Sequence, residues 1–122
     1  FTFLAPVAPG GGATLAVCGS HRLVRPARRT DSARVKRLLA RDPWFAALFD
    51  PDDPGDRRRF RDEALADGVP VRVEELCGEP GDVWFVDLRL LHAAAPNGSP
   101  HPRLMVTQRY LRESLRAAVA GG

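Results

Sequence analysis

A histidine and an arginine with the spacing of a shared site stand out in this 122-residue chain. His92 follows Asp82–Asp87, whose nearly continuous apolar run predicts a strand buried on both faces, and Arg103 opens the next predicted strand, Leu104–Thr107. Facing ends of two antiparallel neighbours lie side by side, so both side chains would point into one space. Neutral imidazole suits Fe(II), and a guanidinium fork suits a carboxylate held in one orientation. A site for iron and an organic di-acid needs this pair.

Other catalytic chemistries find little support in the residue pattern. None of the three histidines has an Asp, a Glu or a second His at ligand spacing. Cys18 and Cys77 form no Cys-x-x-Cys pair, which disfavours a zinc site. The glycines Gly10–Gly12 precede a strand rather than a helix, so they predict a hairpin turn and not a phosphate cradle. Ser20 lacks the glycine that follows the serine of a hydrolase nucleophile elbow.

Length and composition bound the class of protein. A chain of 122 residues with 44% hydrophobic content makes at most one globular domain, and no segment is long and apolar enough to span a membrane. Two cysteines give no disulfide framework, so we expect a reduced, cytoplasmic setting. The net charge is only +3, and the basic residues clustered between Arg22 and Arg41 predict a solvated helix face.

The middle of the chain predicts three helices. Thr30 or Asp31 can cap the first, whose apolar residues follow helical spacing. Asp42–Pro43 starts a short second helix, with proline in its first turn. The third helix is predicted over Asp56–Ala66, capped by its aspartate and ended by Gly68.

Strands are predicted on both sides of these helices. Phe1–Val7 and Ala13–Cys18 predict the two arms of a hairpin around the glycine turn. Beyond the helices the predicted elements are the strands Val69–Glu74, Asp82–Asp87 and Leu104–Leu111 and a terminal helix, Glu113–Ala120. The pattern as a whole predicts half of a β-sandwich or barrel with a helical insertion at about residues 30–68.

Four stretches of the chain resemble one enzyme family. They are the strand-turn-strand Phe1–Val17, the letters VCGSHR at Val17–Arg22, the letters GDVWFVD at Gly81–Asp87 leading to His92, and Pro102–Arg103. The second stretch is similar to a Pro-Gly-Ser-His signature, with Cys18 where proline is usual. In this order the stretches resemble the C-terminal portion of the phytanoyl-CoA dioxygenase-like enzymes, a family of Fe(II)- and 2-oxoglutarate-dependent oxygenases. The resemblance covers most of the chain outside the helical insertion.

The resemblance implies a mainly β fold, the double-stranded β-helix, which is a jelly-roll or cupin-like barrel. Residues 1–122 would form the C-terminal part of one such domain, and we expect its N-terminal part, with the family's His-x-Asp iron ligands, to lie upstream of Phe1. His92 matches the distal iron ligand, and Arg103 matches the arginine that pairs with the far carboxylate of 2-oxoglutarate. Phe1 falls where many members place an aromatic residue lining the cosubstrate pocket. Ala94 replaces a Ser or Thr that hydrogen-bonds the cosubstrate in many members.

By this resemblance we expect part of a dioxygenase that hydroxylates a small molecule or an acyl thioester with Fe(II), decarboxylating 2-oxoglutarate to succinate. Holding one of three iron ligands, this chain alone is expected to be inactive. The alternative is a non-catalytic jelly-roll domain, a degenerate relative that binds a small molecule without iron, and ferrous iron binding separates the two. A basic nucleic-acid module ranks last because the arginine cluster lacks interleaved aromatic residues. No membrane partner is expected, and the oligomeric state is left open.

Overall fold

The computed structural model describes residues 1–24, 32–110 and 112–113. It contains two antiparallel sheets and a few short helices. The strands are β1 (Thr2–Phe3), β2 (Thr14–Cys18), β3 (Ala64–Ala66), β4 (Val69–Leu76), β5 (His92–Ala94) and β6 (Met105–Val106). The helices are α1 (Ser20–Leu23), α2 (Ser32–Leu39), α3 (Pro43–Phe49) and a 3-10 helix (Arg57–Arg61).

The central strand of the larger sheet is β2. This four-stranded sheet has the order β3-β4-β2-β5, and the two-stranded sheet pairs β1 with β6. Because β2 has a neighbour on each side, its backbone is satisfied and Thr14, Ala16 and Val17 are buried. The protein is therefore mainly sheet, as predicted. Among the described residues, no ladder between named strands joins the two sheets into a closed barrel.

Helix α3 begins where the sequence predicts it. Asp42 accepts a hydrogen bond from the backbone N–H of Trp44 at 2.8 Å, and Pro43 occupies the first turn, where a missing N–H costs nothing. Phe45 is completely buried, and its cluster covers one face of the larger sheet. The buried members of that cluster are Val17, Phe45, Ala66 and Val71. The helical segment thus supplies much of the core that supports β2 and β4.

Replacing Asp42 with Ala is expected to destabilise the protein by about 2 kcal/mol, because a helix cap contributes about 1 kcal/mol and a further hydrogen bond about as much. The second bond joins the other oxygen of Asp42 to the backbone N–H of Asp67, 3.1 Å away. Asp50→Ala is the matched control, since it removes only an exposed turn contact to the N–H of Asp52. Urea unfolding compares the two variants, and equal losses would contradict the capping role of Asp42.

The predicted third helix, Asp56–Ala66, is wrong. Asp56 does cap a helix, accepting the N–H of Arg58 at 2.9 Å, but the helix is one short 3-10 segment. The chain then forms the β3–β4 hairpin, turning at Asp67 and Gly68, whose φ angles are 48° and 73°. Two consecutive positive φ angles match a type I′ turn, for which Asp-Gly is a preferred sequence. The glycine predicted to end a helix instead closes a hairpin.

The predicted hairpin between Phe1–Val7 and Ala13–Cys18 is also wrong. Its first arm is a ladder only over Thr2–Phe3, which pairs with β6, whereas β2 pairs with β4 and β5. The turn between the arms has positive φ at Gly10 and Gly12 and carries the chain from one sheet to the other. All five residues of β2 pair with β4, so the partners of this strand are distant in sequence.

The strand predicted over Asp82–Asp87 is an irregular segment with one neighbour. Trp84 exchanges backbone hydrogen bonds with Phe1 at 2.9 and 3.0 Å, and Val83 bridges to Thr2. The side chain of Phe85 is 81% exposed, so the segment is not buried on both faces. The last predicted strand, Leu104–Leu111, is a ladder only over Met105–Val106, and Leu111 lies outside the described residues.

Some expectations fall outside the part of the chain that the structure describes. These are the helix cap at Thr30 or Asp31, three arginines of the basic cluster (Arg25, Arg28 and Arg29), and nearly all of the terminal helix Glu113–Ala120. Over the described ranges, no helix has the length and apolar character needed to cross a membrane.

Candidate functional site

His92 opens β5 and presents one ring nitrogen for binding. Its Nδ1 lies 2.8 Å from the carbonyl oxygen of Leu90, and because a carbonyl only accepts, Nδ1 carries the hydrogen. Nε2 of the neutral ring then holds a free lone pair, the state in which histidine binds a metal. His92 is exposed. His92 is the first residue of β5, a strand of the larger sheet. The sequence predicts instead that it closes the segment Asp82–Asp87.

Arg103 is half-buried and points at the start of β2. Its Nη1 donates to the carbonyl oxygen of Gly12 at 2.8 Å and lies 3.5 Å from the hydroxyl of Thr14. Within the described residues, no carboxylate lies at ion-pair distance from this guanidinium. A guanidinium that is anchored by a carbonyl and lacks a carboxylate partner can receive an anionic ligand.

The expectation that His92 and Arg103 lie on neighbouring strands is wrong, since β5 and β6 belong to different sheets. Strand β2 nevertheless brings the two side chains to one face. Arg103 contacts Thr14, which pairs with Ala94, and His92 pairs with Ala16. Paired residues of an antiparallel ladder share a face, and residues two apart on a strand are separated by about 7 Å. His92 and Thr14, which the guanidinium contacts, thus share one face of the larger sheet.

An open groove of about 740 Å³ runs beside His92. Its aromatic wall contains Phe1, Trp84, Phe85 and Tyr110. Phe1 contacts His92 edge to face, with ring centroids 6.1 Å apart, so it lies on the groove side of the histidine. His92 lines this groove, whereas Arg103 and Thr14 do not.

Asp87 is the acidic residue that lines the groove, and its carboxylate is already taken. One oxygen accepts the backbone N–H and the Nε of Arg89 at 2.8 and 3.0 Å, and the other accepts Nη2 at 2.8 Å. These bonds hold the pKa of the Asp87 carboxyl well below its usual range. No group of three His, Cys, Asp or Glu that could hold a metal occurs among the residues described. Among the described residues of this region, His92 offers one ring nitrogen to a ligand and Arg103 offers a guanidinium with no carboxylate at ion-pair distance.

Sequence reasoning missed the residues that hold this pair. Gly12 and Thr14 contact Arg103, and Ser20 accepts the backbone N–H of Leu91, next to the histidine. One signal was present: Thr14 is the polar residue that starts an apolar strand. Ser20 lies within the Gly-Ser-His stretch, and that resemblance is the sequence signal for its contact with Leu91.

Comparison with protein-family models, curated proteins and solved structures found no match to this chain. A function for the chain therefore has to follow from the residues and contacts of the site itself.

Proposed function

We propose that this chain carries the distal histidine and the cosubstrate arginine of an Fe(II)- and 2-oxoglutarate-dependent oxygenase, within a double-stranded β-helix. The observation that supports the proposal is that His92 and Thr14, which the Arg103 guanidinium contacts, lie on the same face of the sheet formed by β2 and β5. The link between His92 and Arg103 is β2, since Arg103 contacts Thr14 and His92 pairs with Ala16, two residues further along the same strand.

Each residue of the site has one task in this proposal. His92 binds iron through Nε2, and the bond from Nδ1 to Leu90 fixes the ring orientation. Arg103 pairs with the far carboxylate of 2-oxoglutarate, and the Thr14 hydroxyl is a second donor beside it. Ala94, which pairs with Thr14, adds no polar group to this face. Iron and 2-oxoglutarate, when bound, supply the oxidising chemistry that hydroxylates the substrate.

The remaining protein ligands of iron come from outside the described residues. Fe(II) needs a reducing setting, which agrees with the two free thiols of Cys18 and Cys77 and with a cytoplasmic location. Burial raises the pKa of the Cys77 thiol, so it stays protonated and is a poor metal ligand.

The groove beside His92 is the proposed substrate site. Its wall of aromatic rings would take the apolar part of a small molecule or an acyl thioester, while Thr107 and Gln108 offer hydrogen-bonding groups at its side. Substrate would approach His92 from the groove and 2-oxoglutarate from the side of Arg103, so the two would meet at the metal.

Anaerobic calorimetry with Fe(II) and then 2-oxoglutarate tests this function on the protein with all of its proposed iron ligands present. We expect Fe(II) to bind and to tighten the later binding of 2-oxoglutarate. Binding of 2-oxoglutarate that is indifferent to Fe(II) would favour the alternative, a non-catalytic domain that binds a small molecule. Binding of neither would overturn the proposal.

A further inference from the structure

Ser20 is a buried polar residue next to the site. Its side chain is 0% exposed, and among the described residues only Thr14 is a second buried polar side chain. The Ser20 hydroxyl accepts the backbone N–H of Leu91 at 2.9 Å, across 71 residues of sequence. A buried hydroxyl with one specific partner fixes that partner's position, because breaking the bond would leave a donor without an acceptor.

The end of β2 explains how Ser20 reaches Leu91. The strand stops at Gly19, whose φ is +86°, and a Cβ at this position would collide with the carbonyl oxygen of Pro70. Only glycine fits both conditions, so the chain turns there and directs the next side chain towards β5. Val17 donates its N–H to the carbonyl of Leu91 at 2.9 Å. Both backbone groups of Leu91 are therefore bound, the carbonyl by Val17 of β2 and the N–H by Ser20, which follows the turn.

This turn has a direct effect on His92. The bound N–H of Leu91 belongs to the peptide that joins it to Leu90, and the bound carbonyl belongs to the peptide that joins it to His92, which pairs with Ala16. The histidine ring takes its orientation from the carbonyl of Leu90, one residue before the bound position. A shift of Leu91 would move both the backbone of His92 and the acceptor of its Nδ1.

We propose that Ser20 is a positioning residue for His92: by accepting the Leu91 N–H, it fixes where β5 begins and where Nε2 points. The use of that Nε2 as an iron ligand rests on the proposed function, whereas the positioning itself does not. A merely structural Ser20 would contribute to folding stability without changing the state of the histidine ring.

The test compares Ser20→Ala with Val7→Ala in the full chain. Val7 is buried in the other core cluster, with Phe3 and Ala13, so its truncation destabilises the fold without touching Leu91. Nitrogen-15 NMR of the His92 ring reads the tautomer directly. We expect one tautomer, with hydrogen on Nδ1, in the wild type and in Val7→Ala, and a mixture in Ser20→Ala. Fe(II) affinity should fall about tenfold or more in Ser20→Ala only.

Two further measurements make every outcome decisive. Ser20→Thr keeps the hydroxyl and should retain the wild-type tautomer. Hydrogen exchange of the Leu91 amide in the wild type needs no variant, and exchange as fast as in exposed turns would overturn the proposal. An unchanged tautomer in Ser20→Ala, with stability alone reduced, would also overturn it. A changed tautomer, with no Fe(II) binding by protein that has all of its proposed iron ligands, would confirm the positioning and reject the oxygenase.

Discussion

Replacing Arg103 with Ala is expected to weaken 2-oxoglutarate binding about 100-fold while leaving Fe(II) binding nearly unchanged. The guanidinium is half-buried, and the carbonyl of Gly12 anchors it in one orientation. In Arg103→Ala the carboxylate of 2-oxoglutarate would lose this preorganised partner. Loss of one member of such a pair costs about 3 kcal/mol, and every 1.4 kcal/mol is roughly tenfold in affinity. Calorimetry of 2-oxoglutarate at saturating Fe(II) measures the effect.

Arg109→Ala is the matched control for this prediction. Arg109 is exposed and lines the groove, which neither Arg103 nor Thr14 lines. Its loss should leave 2-oxoglutarate affinity within about twofold, in the range of ordinary surface changes. Arg103→Lys keeps the charge but not the fork, so it should recover part of the affinity. Equal affinities for wild type and Arg103→Ala would rule out the anchor.

Local chemistry determined the elements that the sequence predicted well. The capping carboxylate of Asp42 and the proline after it act within one turn, so α3 could be located from four adjacent residues. The alternation of Val69–Glu74 depends on a period of two and gave most of β4, which runs over Val69–Leu76. Both signals can be read from the segment itself, without knowing which distant residues it contacts.

Signals that depend on distant partners were less informative. The apolar run of Asp82–Asp87 indicates a segment that favours burial, but it does not identify the neighbour that covers it. In the described part of the chain that segment contacts β1 on one side, and Phe85 remains exposed. Asp67–Gly68 had two meanings, a helix end or a hairpin turn, and the choice depended on the pairing of β3 with β4.

The candidate site divides in the same way. His92 and Arg103 could be selected from residue type and spacing, because the affinity of imidazole for iron and of guanidinium for carboxylates does not depend on the fold. The sequence predicts that two neighbouring strands bring the two residues together. In the structure β2 joins them, because Thr14 contacts Arg103 and also pairs with Ala94 of β5. No spacing rule could have found Thr14, since its link to Arg103 spans 89 residues.

The conformation of Gly19 matters for the site because β2 ends there. Gly19→Ala is expected to cost about 3 kcal/mol or more, since it adds the strain of a positive φ to a collision with the carbonyl of Pro70. Gly68→Ala is the control: its φ is +73°, but nothing lies within 4 Å of the added Cβ, so only about 1–2 kcal/mol should be lost. Urea unfolding measures both, and similar losses would show that the space beside Pro70 can adjust.

Replacing His92 with Ala is expected to reduce Fe(II) affinity at least about 100-fold, because the loss of a metal ligand costs more than the 10–100-fold that follows loss of a supporting partner. The side chain is exposed, so folding stability should change by no more than about 0.5 kcal/mol. Anaerobic calorimetry with Fe(II), alongside urea unfolding, separates lost metal binding from lost structure.

His101→Ala is the control that gives this prediction its meaning. His101 is also exposed, and its contacts with Asn97 and Ser99 use its backbone N–H and carbonyl rather than its ring. If iron bound adventitiously to surface imidazoles, the two variants would lose affinity alike. A loss confined to His92→Ala would tie the metal to the Nε2 that Leu90 orients. Retention of full affinity in His92→Ala would remove iron from this face and leave Arg103 and the groove as a site for an organic anion.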